Sequence, residues 1–329
     1  MAAENWQDLV DTDPAAFARL LLASLGLPAD PLRPAAGWSN HVWLAPAHVV
    51  RLSSGRFRDA YAHELAVLAL LPDTIPHARA VASGRVGRRE WMIVQRIEGQ
   101  PLTRAWPTMS ESQRRPAAQS LGNILQALHS VGVPHGFGNP WLKDAYAPGG
   151  RLRDAYHAPP ELAGRLLEAA SQIPGVDLGV LDEVRAFIAE RLTAFTQERT
   201  ALVHGDVHIA NLLWDGSRLA ALLDFEGASL APPDLELDTL LRCVRDPRPY
   251  GGPDAPGGLA PEELAGVPGW VADTYPQLFS HPRLTERLEV YEALWQLVQL
   301  LHFPPGVGPL DPWGALRVLL TSNNRWARF

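Results

Sequence analysis

Leu202-Val203-His204-Gly205-Asp206-Val207-His208-Ile209-Ala210-Asn211-Leu212-Leu213-Trp214 runs into Asp215-Gly216 and then into Leu222-Leu223-Asp224-Phe225-Glu226. An apolar run delivers a polar loop in which Asp206 precedes Asn211 by five residues. That D-x-x-x-x-N spacing sets a carboxylate base beside a metal-ligating amide in phosphoryl transfer. Asn211 opens a second apolar run that turns at Asp215-Gly216, the strongest short-range hairpin signal. The returning arm, Leu219 to Phe225, carries Asp224 back to the level of the loop, so Asn211 and Asp224 converge near Asp206 through one hairpin. Hard oxygen ligands of this kind suit Mg²⁺, or Mn²⁺, held jointly with nucleotide phosphates. The stretch predicts a phosphoryl-transfer site with Asp206 as catalytic base and Asn211 and Asp224 as metal ligands.

Two other readings stand beside this one. His204-x-Asp206-x-His208 has the look of a metal cluster for hydrolysis, but the remaining histidines form no second ligand motif. A nucleotide-binding regulator without turnover is the other, and the intact Asp206, Asn211 and Asp224 speak against it.

His204-Gly205-Asp206-x-His208-x-x-Asn211-Leu212-Leu213, with Leu223-Asp224-Phe225-Glu226 after a hairpin, resembles the aminoglycoside phosphotransferase and choline kinase-like family. The resemblance implies an α+β, two-lobed protein kinase-like fold. A small β-rich N-lobe with one helix of the αC type would cover residues 1–98, and a larger, mostly helical C-lobe residues 99–329. It implies a small-molecule kinase that moves the γ-phosphoryl of ATP or GTP to a hydroxyl acceptor. Asp224-Phe225-Glu226 stands where protein kinases carry D-F-G, and His204-Gly205-Asp206 where they carry H-R-D. Both departures point to small-molecule acceptors.

Composition sets outer limits. The chain has 329 residues, 47% of them hydrophobic, enough for one large or two smaller cores. A net charge of −7 and a pI near 5.9 give no global field for nucleic acid or an anionic membrane. The single cysteine, Cys243, excludes an internal disulfide and fits a reducing compartment. No basic leader precedes an apolar block, and no uncharged apolar run approaches the ~20 residues of a membrane span. The expectation is a cytoplasmic protein whose partners are a nucleotide and a small hydroxyl compound.

In chain order, Asp13 to Leu25 predicts a helix with Asp13 as N-cap, Pro14 at the first position and Gly26 as stop. Gly37-Trp38-Ser39-Asn40 precedes a hairpin of His41–Leu44 and Ala47–Leu52. Such a loop can lay backbone N–H groups and a hydroxyl over phosphates, which makes Gly37, Ser39 and Asn40 nucleotide-binding candidates. By resemblance, Arg51 takes the place of the phosphate-binding lysine, its planar fork suited to phosphate oxygens. Glu64, on a helix from Arg58 to Leu71, is its partner. The same resemblance makes Gln95 to Ile97 the hinge holding the nucleobase, with Gly99-x-Pro101-Leu102 as its exit.

Further helices are predicted at Ser110–Val131, Pro159–Ala170, Leu181–Thr196, Pro261–Val267, Leu284–Leu301 and Pro312–Leu320. Glu226, Asp234, Glu236 and Asp238 follow the metal-binding acid. They form either an acidic rim for a cationic, amino-bearing substrate such as an aminoglycoside, or a set of helix-start residues. Glu226 and Asp234 are the substrate-binding candidates, although Asp234 and Asp238 also suit a helix start. The Pro/Gly-rich segment from Asp246 to Pro261 predicts a loop, either lid or connector. Trp270, Tyr275, Tyr291, Trp295 and Trp313 read as core or as pocket wall.

Overall fold

The computed structural model describes residues 4–35, 40–55, 59–196, 199–250, 258–308 and 310–321. Two helices lead, α1 (Glu4–Thr12) and α2 (Pro14–Ser24). Asp13 accepts the Ala16 N–H, Pro14 opens α2, and Gly26 at φ +69° ends it.

Next come β1 (Arg33–Ala35), β2 (His41–Leu44), β3 (His48–Leu52), α3 (Ala60–Leu68), β4 (Ala80–Val86) and β5 (Arg89–Gln95). The strands form one antiparallel sheet in the order β1-β2-β3-β5-β4. The period of two along β3 sorts its side chains between two cores. Val50 and Leu52 join Trp43 and Ile93 against Phe17, Leu21 and Leu22 of α2. Arg51 points the other way, towards α3, where Tyr61 packs with Met92 and Val94. One strand thereby anchors the sheet on α2 and offers a guanidinium to α3.

The second lobe is mostly helical. In order it holds β6 (Gln100–Pro101), α4 (Leu102–Ala105), α5 (Glu111–Leu128), α6 (Pro140–Tyr146), α7 (Ala163–Ser171) and α8 (Leu178–Arg191). Then follow β7 (Ala201–Val203), β8 (Leu212–Trp214), β9 (Leu219–Leu222), β10 (Ser229–Ala231) and α9 (Leu235–Arg245). The last elements are α10 (Pro261–Leu264), α11 (Val267–Thr274), α12 (Leu284–Leu300) and α13 (Pro312–Thr321). One core gathers apolar faces of α5, α9 and α11 around β7, β8 and β9. A second packs α7, α8, α12 and α13 together. Helix α5 begins at a reciprocal capping box between Ser110 and Gln113. The segment from His135 to Gly150, expected as loop, contains α6, capped by Asn139 with Pro140 at its first position.

The β8–β9 hairpin turns where Asp215 Oδ1 accepts the N–H groups of Ser217 and Arg218, with Gly216 at φ +103°. Past the ladder, the Leu223 N–H donates to the Asn211 carbonyl over 2.8 Å. That bond sets Asp224 next to Asn211. Among the described residues no helix is long and apolar enough to cross a membrane.

Candidate active site

Strand β7 delivers the loop that begins at His204, a side chain with none of its surface exposed. Its Nδ1 accepts the Asp206 N–H (3.2 Å) and its Nε2 donates to the Leu223 carbonyl (2.8 Å). The ring therefore braces the loop against the strand carrying Asp224, and both nitrogens are spent. A hydrolase metal cluster of His204, Asp206 and His208 is thereby ruled out. From below, the Glu236 carboxylate on α9 accepts the N–H groups of His204 and Gly205, the latter at 3.2 Å. Burial pushes the Glu236 pKa up, but hydrogen bonding and charge from His129, with His204, leave it below its ordinary value. Gly205 sits at φ +80°, and a Cβ there would lie 2.8 Å from the Gly227 carbonyl oxygen. Only glycine fits this position.

Asp206 projects from the loop with 42% of its side chain open. Asn211 Nδ2 donates to the Asp206 carbonyl (2.9 Å) and to its Oδ2 (3.2 Å), and His208 Nε2 lies 3.3 Å from Oδ2. Desolvation in the recess raises the Asp206 pKa, yet His208, His157 and His204 together hold the carboxyl well below the usual carboxylate range. An anion this stable suits the orienting of a hydroxyl and the late acceptance of its proton. Tyr250, at the start of the Pro/Gly-rich segment, packs its ring 4.9 Å from that of His208. Residues 251–257 of that segment lie outside the described residues.

Across the hairpin, Asp224 adopts φ +71°. Its Oδ1 accepts from Arg51 Nη2 at 2.6 Å, while Arg51 Nη1 reaches Glu64 Oε1 and Oε2 at 2.6 and 2.8 Å. The guanidinium carbon lies 4.9 Å from the centre of the Tyr61 ring. The arginine that replaces lysine thus uses both arms of its fork, in a chain whose single lysine is Lys143. Glu226 joins this group and not an acceptor rim. Oxygens of Glu64, Asp224 and Glu226 lie within 4.8 Å of one another. Glu226 Oε2 is buried without a hydrogen-bond partner among the described residues. Burial first, then the Asp224 charge, pushes the Glu226 pKa well above its ordinary value. Three carboxyl groups facing one guanidinium, with an orphaned oxygen between them, are a donor set that fits Mg²⁺ or Mn²⁺. Asn211, in the short turn before β8, is tied through its amide nitrogen to Asp206.

The remaining sequence candidates divide. Asn40 Oδ1 accepts the Ser54 N–H (3.1 Å) and so ties the exit of its loop to the chain beyond β3. Gly37 and Ser39 lie outside the described residues. The Gln95 N–H donates to the Arg79 carbonyl (2.8 Å) and the Arg96 N–H to that of Ala47 (3.0 Å). Neither N–H is available to a nucleobase, and Ile97 lies beyond the end of β5. Asp234 must be withdrawn as a substrate ligand. It is buried, and its oxygens accept from Arg287 Nε and Nη2 at 2.6 and 2.8 Å. Asp238 is likewise paired with Arg242 at 2.8 Å. With Glu236 beneath the loop, the expected acidic rim is a buried network of paired charges.

Two residues escaped the sequence reading. His63 on α3 donates from Nε2 to the Ala228 carbonyl (2.7 Å), and Asn139 donates to that of Glu226 (3.1 Å). Both pin the segment after Asp224-Phe225-Glu226. The Asn139-Pro140 pair was a legible helix start; nothing local marks His63. Of the five candidate pocket aromatics, Tyr275, Tyr291 and Trp313 are core residues, and Trp295 is half-buried.

A five-stranded antiparallel sheet with one helix against it, a mostly helical second lobe, and a loop and hairpin presenting Asp206, Asn211 and Asp224 define a small-molecule kinase of the protein kinase-like fold. The model of the phosphotransferase enzyme family matches residues 31–267, and the chain belongs to that family. Among solved structures it is similar to a choline/ethanolamine kinase family protein from Mesorhizobium loti, with 18% identity, coverage of 96% of this chain and 97% of that one, and a TM-score of 0.63. It is also similar to the ADP-bound aminoglycoside phosphotransferase APH(2'')-Ib, with 18% identity, coverage of 94% and 97%, and a TM-score of 0.60. The GDP complex of aminoglycoside 2'-phosphotransferase-IIIa gives 17% identity, coverage of 92% and 97%, and a TM-score of 0.61. No curated protein matched the sequence.

Proposed function

We propose that this phosphotransferase moves the γ-phosphoryl of ATP or GTP onto a hydroxyl of a small molecule. The observation that carries the reading is the convergence of Asp206, Asn211 and Asp224 through one hairpin, with the Arg51 fork clamped between Glu64 and Asp224. In this reading the chain divides at residue 98, and the nucleotide lies between residues 1–98 and 99–329. Its base meets the backbone near Ile97, and its phosphates meet Arg51 and the loop from Gly37 to Asn40. Asn211, Asp224 and Glu226 would hold Mg²⁺ or Mn²⁺, which when bound supplies charge neutralisation at the phosphates. Glu64 orients Arg51. Asp206, its carboxyl held low chiefly by His208 beside it, orients the acceptor hydroxyl and takes its proton. The work is positioning and electrostatics, as phosphoryl transfer requires.

The nucleotide assignment draws support from relatives described with ADP, GDP or ATP. Aminoglycosides are an acceptor class to assay because several relatives are described with them. The acids that suggested an amino-bearing acceptor are engaged elsewhere, so among the described residues that run of charge does not single that class out. Nucleic acid and membrane are not partners in this reading, and the site of action is the cytoplasm. The test is consumption of ATP or GTP, with Mg²⁺, against a panel of hydroxyl compounds. Acceptor-dependent turnover supports the proposal. Nucleotide binding without turnover on any compound would leave a regulator.

A further inference from the structure

Helix α6 follows β6 in the second lobe, yet its first turn packs on the first. Trp141 is buried in one cluster with Ala60 and Tyr61 of α3 and with Met92 and Val94 of β5. Val49, on the strand that carries Arg51, packs against the same cluster. The tryptophan is set there by the cap of its own helix, since Asn139 Oδ1 accepts the Trp141 N–H at 2.9 Å.

The cap uses the oxygen of Asn139 and leaves the amide nitrogen to donate elsewhere. That buried Nδ2 reaches the carbonyls of Glu226 at 3.1 Å and of Ala228 at 3.4 Å. From the other side, His63 of α3 donates from Nε2 to the same Ala228 carbonyl at 2.7 Å. Its ring lies 5.5 Å from that of Phe137, just before α6. One carbonyl thus receives a donor from each lobe. The turn they hold begins at Asp224, whose φ of +71° costs any residue with a Cβ and persists only where its surroundings fix it. His63 also precedes Glu64 in sequence, so one turn of α3 holds Arg51 through Glu64 and the Asp224 turn through His63. Packing would be met by any aromatic ring at 63 and any capping residue at 139. It does not require both donors to meet on the carbonyls that follow Asp224.

We infer that His63 and Asn139 are positioning residues for Asp224. Donors from the two lobes fix one turn, and with it the place of the Asp224 carboxylate relative to Arg51 and Glu64. Affinity for the metal-bound nucleotide, more than for the nucleotide alone, then depends on these two side chains. This rests on the phosphotransferase reading, and its test separates the two.

Three variants serve. Asn139→Ser keeps a capping oxygen for α6 and removes the amide. His63→Phe keeps a ring beside Phe137 and removes the donor, and His63→Gln restores an N–H. The dissociation constant of ADP is measured by calorimetry in Mg²⁺ and in EDTA, with the melting temperature beside it. Asn139→Ser and His63→Phe should each weaken ADP binding in Mg²⁺ by about tenfold, the size of one lost hydrogen bond. Binding in EDTA should stay within about twofold of the wild type, and His63→Gln should recover part of the loss in Mg²⁺. With cap and ring retained, melting should stay within about 4 °C of the wild type. Losses equal in Mg²⁺ and EDTA, accompanied by a melting temperature lower by more than about 8 °C, mark purely structural residues and overturn the inference. Unchanged affinity in Mg²⁺ for both single variants overturns it too, and either result leaves the phosphotransferase reading intact. A wild type that binds no ADP in either buffer overturns both.

Discussion

Arg51→Ala is the substitution whose consequence the geometry states most fully. The guanidinium makes contacts of 2.6 and 2.8 Å with Glu64 and 2.6 Å with Asp224. Glu64 keeps 3% of its surface exposed, so its charge has no other means of solvation. Removing one partner of a buried ion pair costs about 3–5 kcal/mol, and the contact with the Tyr61 ring contributes about 1 kcal/mol more. Some of this is recovered, because burial already pushes the Glu64 carboxyl up and an unpaired acid takes up a proton more readily. A net loss of about 3 kcal/mol is expected, against a total stability of about 5–15 kcal/mol. Spread over the unfolding entropy of 329 residues, this should lower the melting temperature by roughly 4 °C. Arg51→Lys keeps the charge and loses the fork, for about 1 kcal/mol. The metal gives a second sign to check. Without the guanidinium, three carboxyl groups face one another, so Mg²⁺ without nucleotide should raise the melting temperature of Arg51→Ala more than that of the wild type. Thermal unfolding at pH 7.5, with and without millimolar Mg²⁺, reads both effects. A metal-free Arg51→Ala that melts within about 2 °C of the wild type, or an equal Mg²⁺ response in the two proteins, would refute the reasoning.

Asp206→Asn should leave nucleotide affinity within a few fold while turnover falls by at least ~100-fold; equal losses of binding and turnover would remove Asp206 from the role of base. Gly205→Ala forces a Cβ to within 2.8 Å of the Gly227 carbonyl at φ +80° and should cost about 2–4 kcal/mol along with activity; near-native melting and turnover would contradict the close approach. Asp234→Asn strands a buried Arg287 and should destabilise by about 3 kcal/mol with no change in acceptor KM, whereas a raised KM with intact stability would return Asp234 to the acceptor site. His157 has a folded pKa of about 4, below its ordinary 6.5, so its contribution is whole above pH 6.5 and is lost as pH falls towards 4. The loss at pH 5 is about 2 kcal/mol, and in His157→Asn the melting difference between pH 7.5 and pH 5 should shrink by roughly 3 °C, an unchanged difference counting against a neutral buried ring.

What could be read before the structure, and what could not, follows from the range of the interactions. Asp206, Asn211 and Asp224 are held by one loop and one hairpin, so spacing alone brings them together. Their mutual bonds, Asn211 Nδ2 to Asp206 and Leu223 N–H to Asn211, span five and twelve residues. The α2 cap at Asp13, the capping box at Ser110 and the turn at Asp215 are also local devices with local signals. Arg51 and Glu64 lie thirteen residues apart and needed the family pattern to be joined. The double engagement of Arg51 with Asp224, 173 residues on, has no local signature. His63 was silent for the same reason, since its meaning comes from Phe137, Asn139 and Ala228. The hinge shows a different limit. Strand alternation marks where β5 ends but not which N–H groups its neighbours consume, and Gln95 lost its own to Arg79.

The acids after Asp224 carry this point furthest. In sequence, Glu226, Asp234, Glu236 and Asp238 form one run of negative charge, and a run of charge suggests a field. A field needs charges left unbalanced, and balance is decided by partners brought from elsewhere. Arg287, 53 residues beyond Asp234, comes from α12 to take both of its oxygens. Glu236 turns inward 32 residues back to His204 and the loop. Asp238 closes on Arg242 one turn along its own helix. Two of these pairings also join elements: the start of α9 to α12, and α9 to the loop that carries Asp206. The same carboxylates that would have attracted an acceptor amine instead hold the base in position. Of the four, Glu226 keeps a buried oxygen without a partner among the described residues, and it stands beside Asp224 and Glu64. In the proposed reading the unpaired carboxyl group of the run therefore lies on the metal and phosphate side of the site.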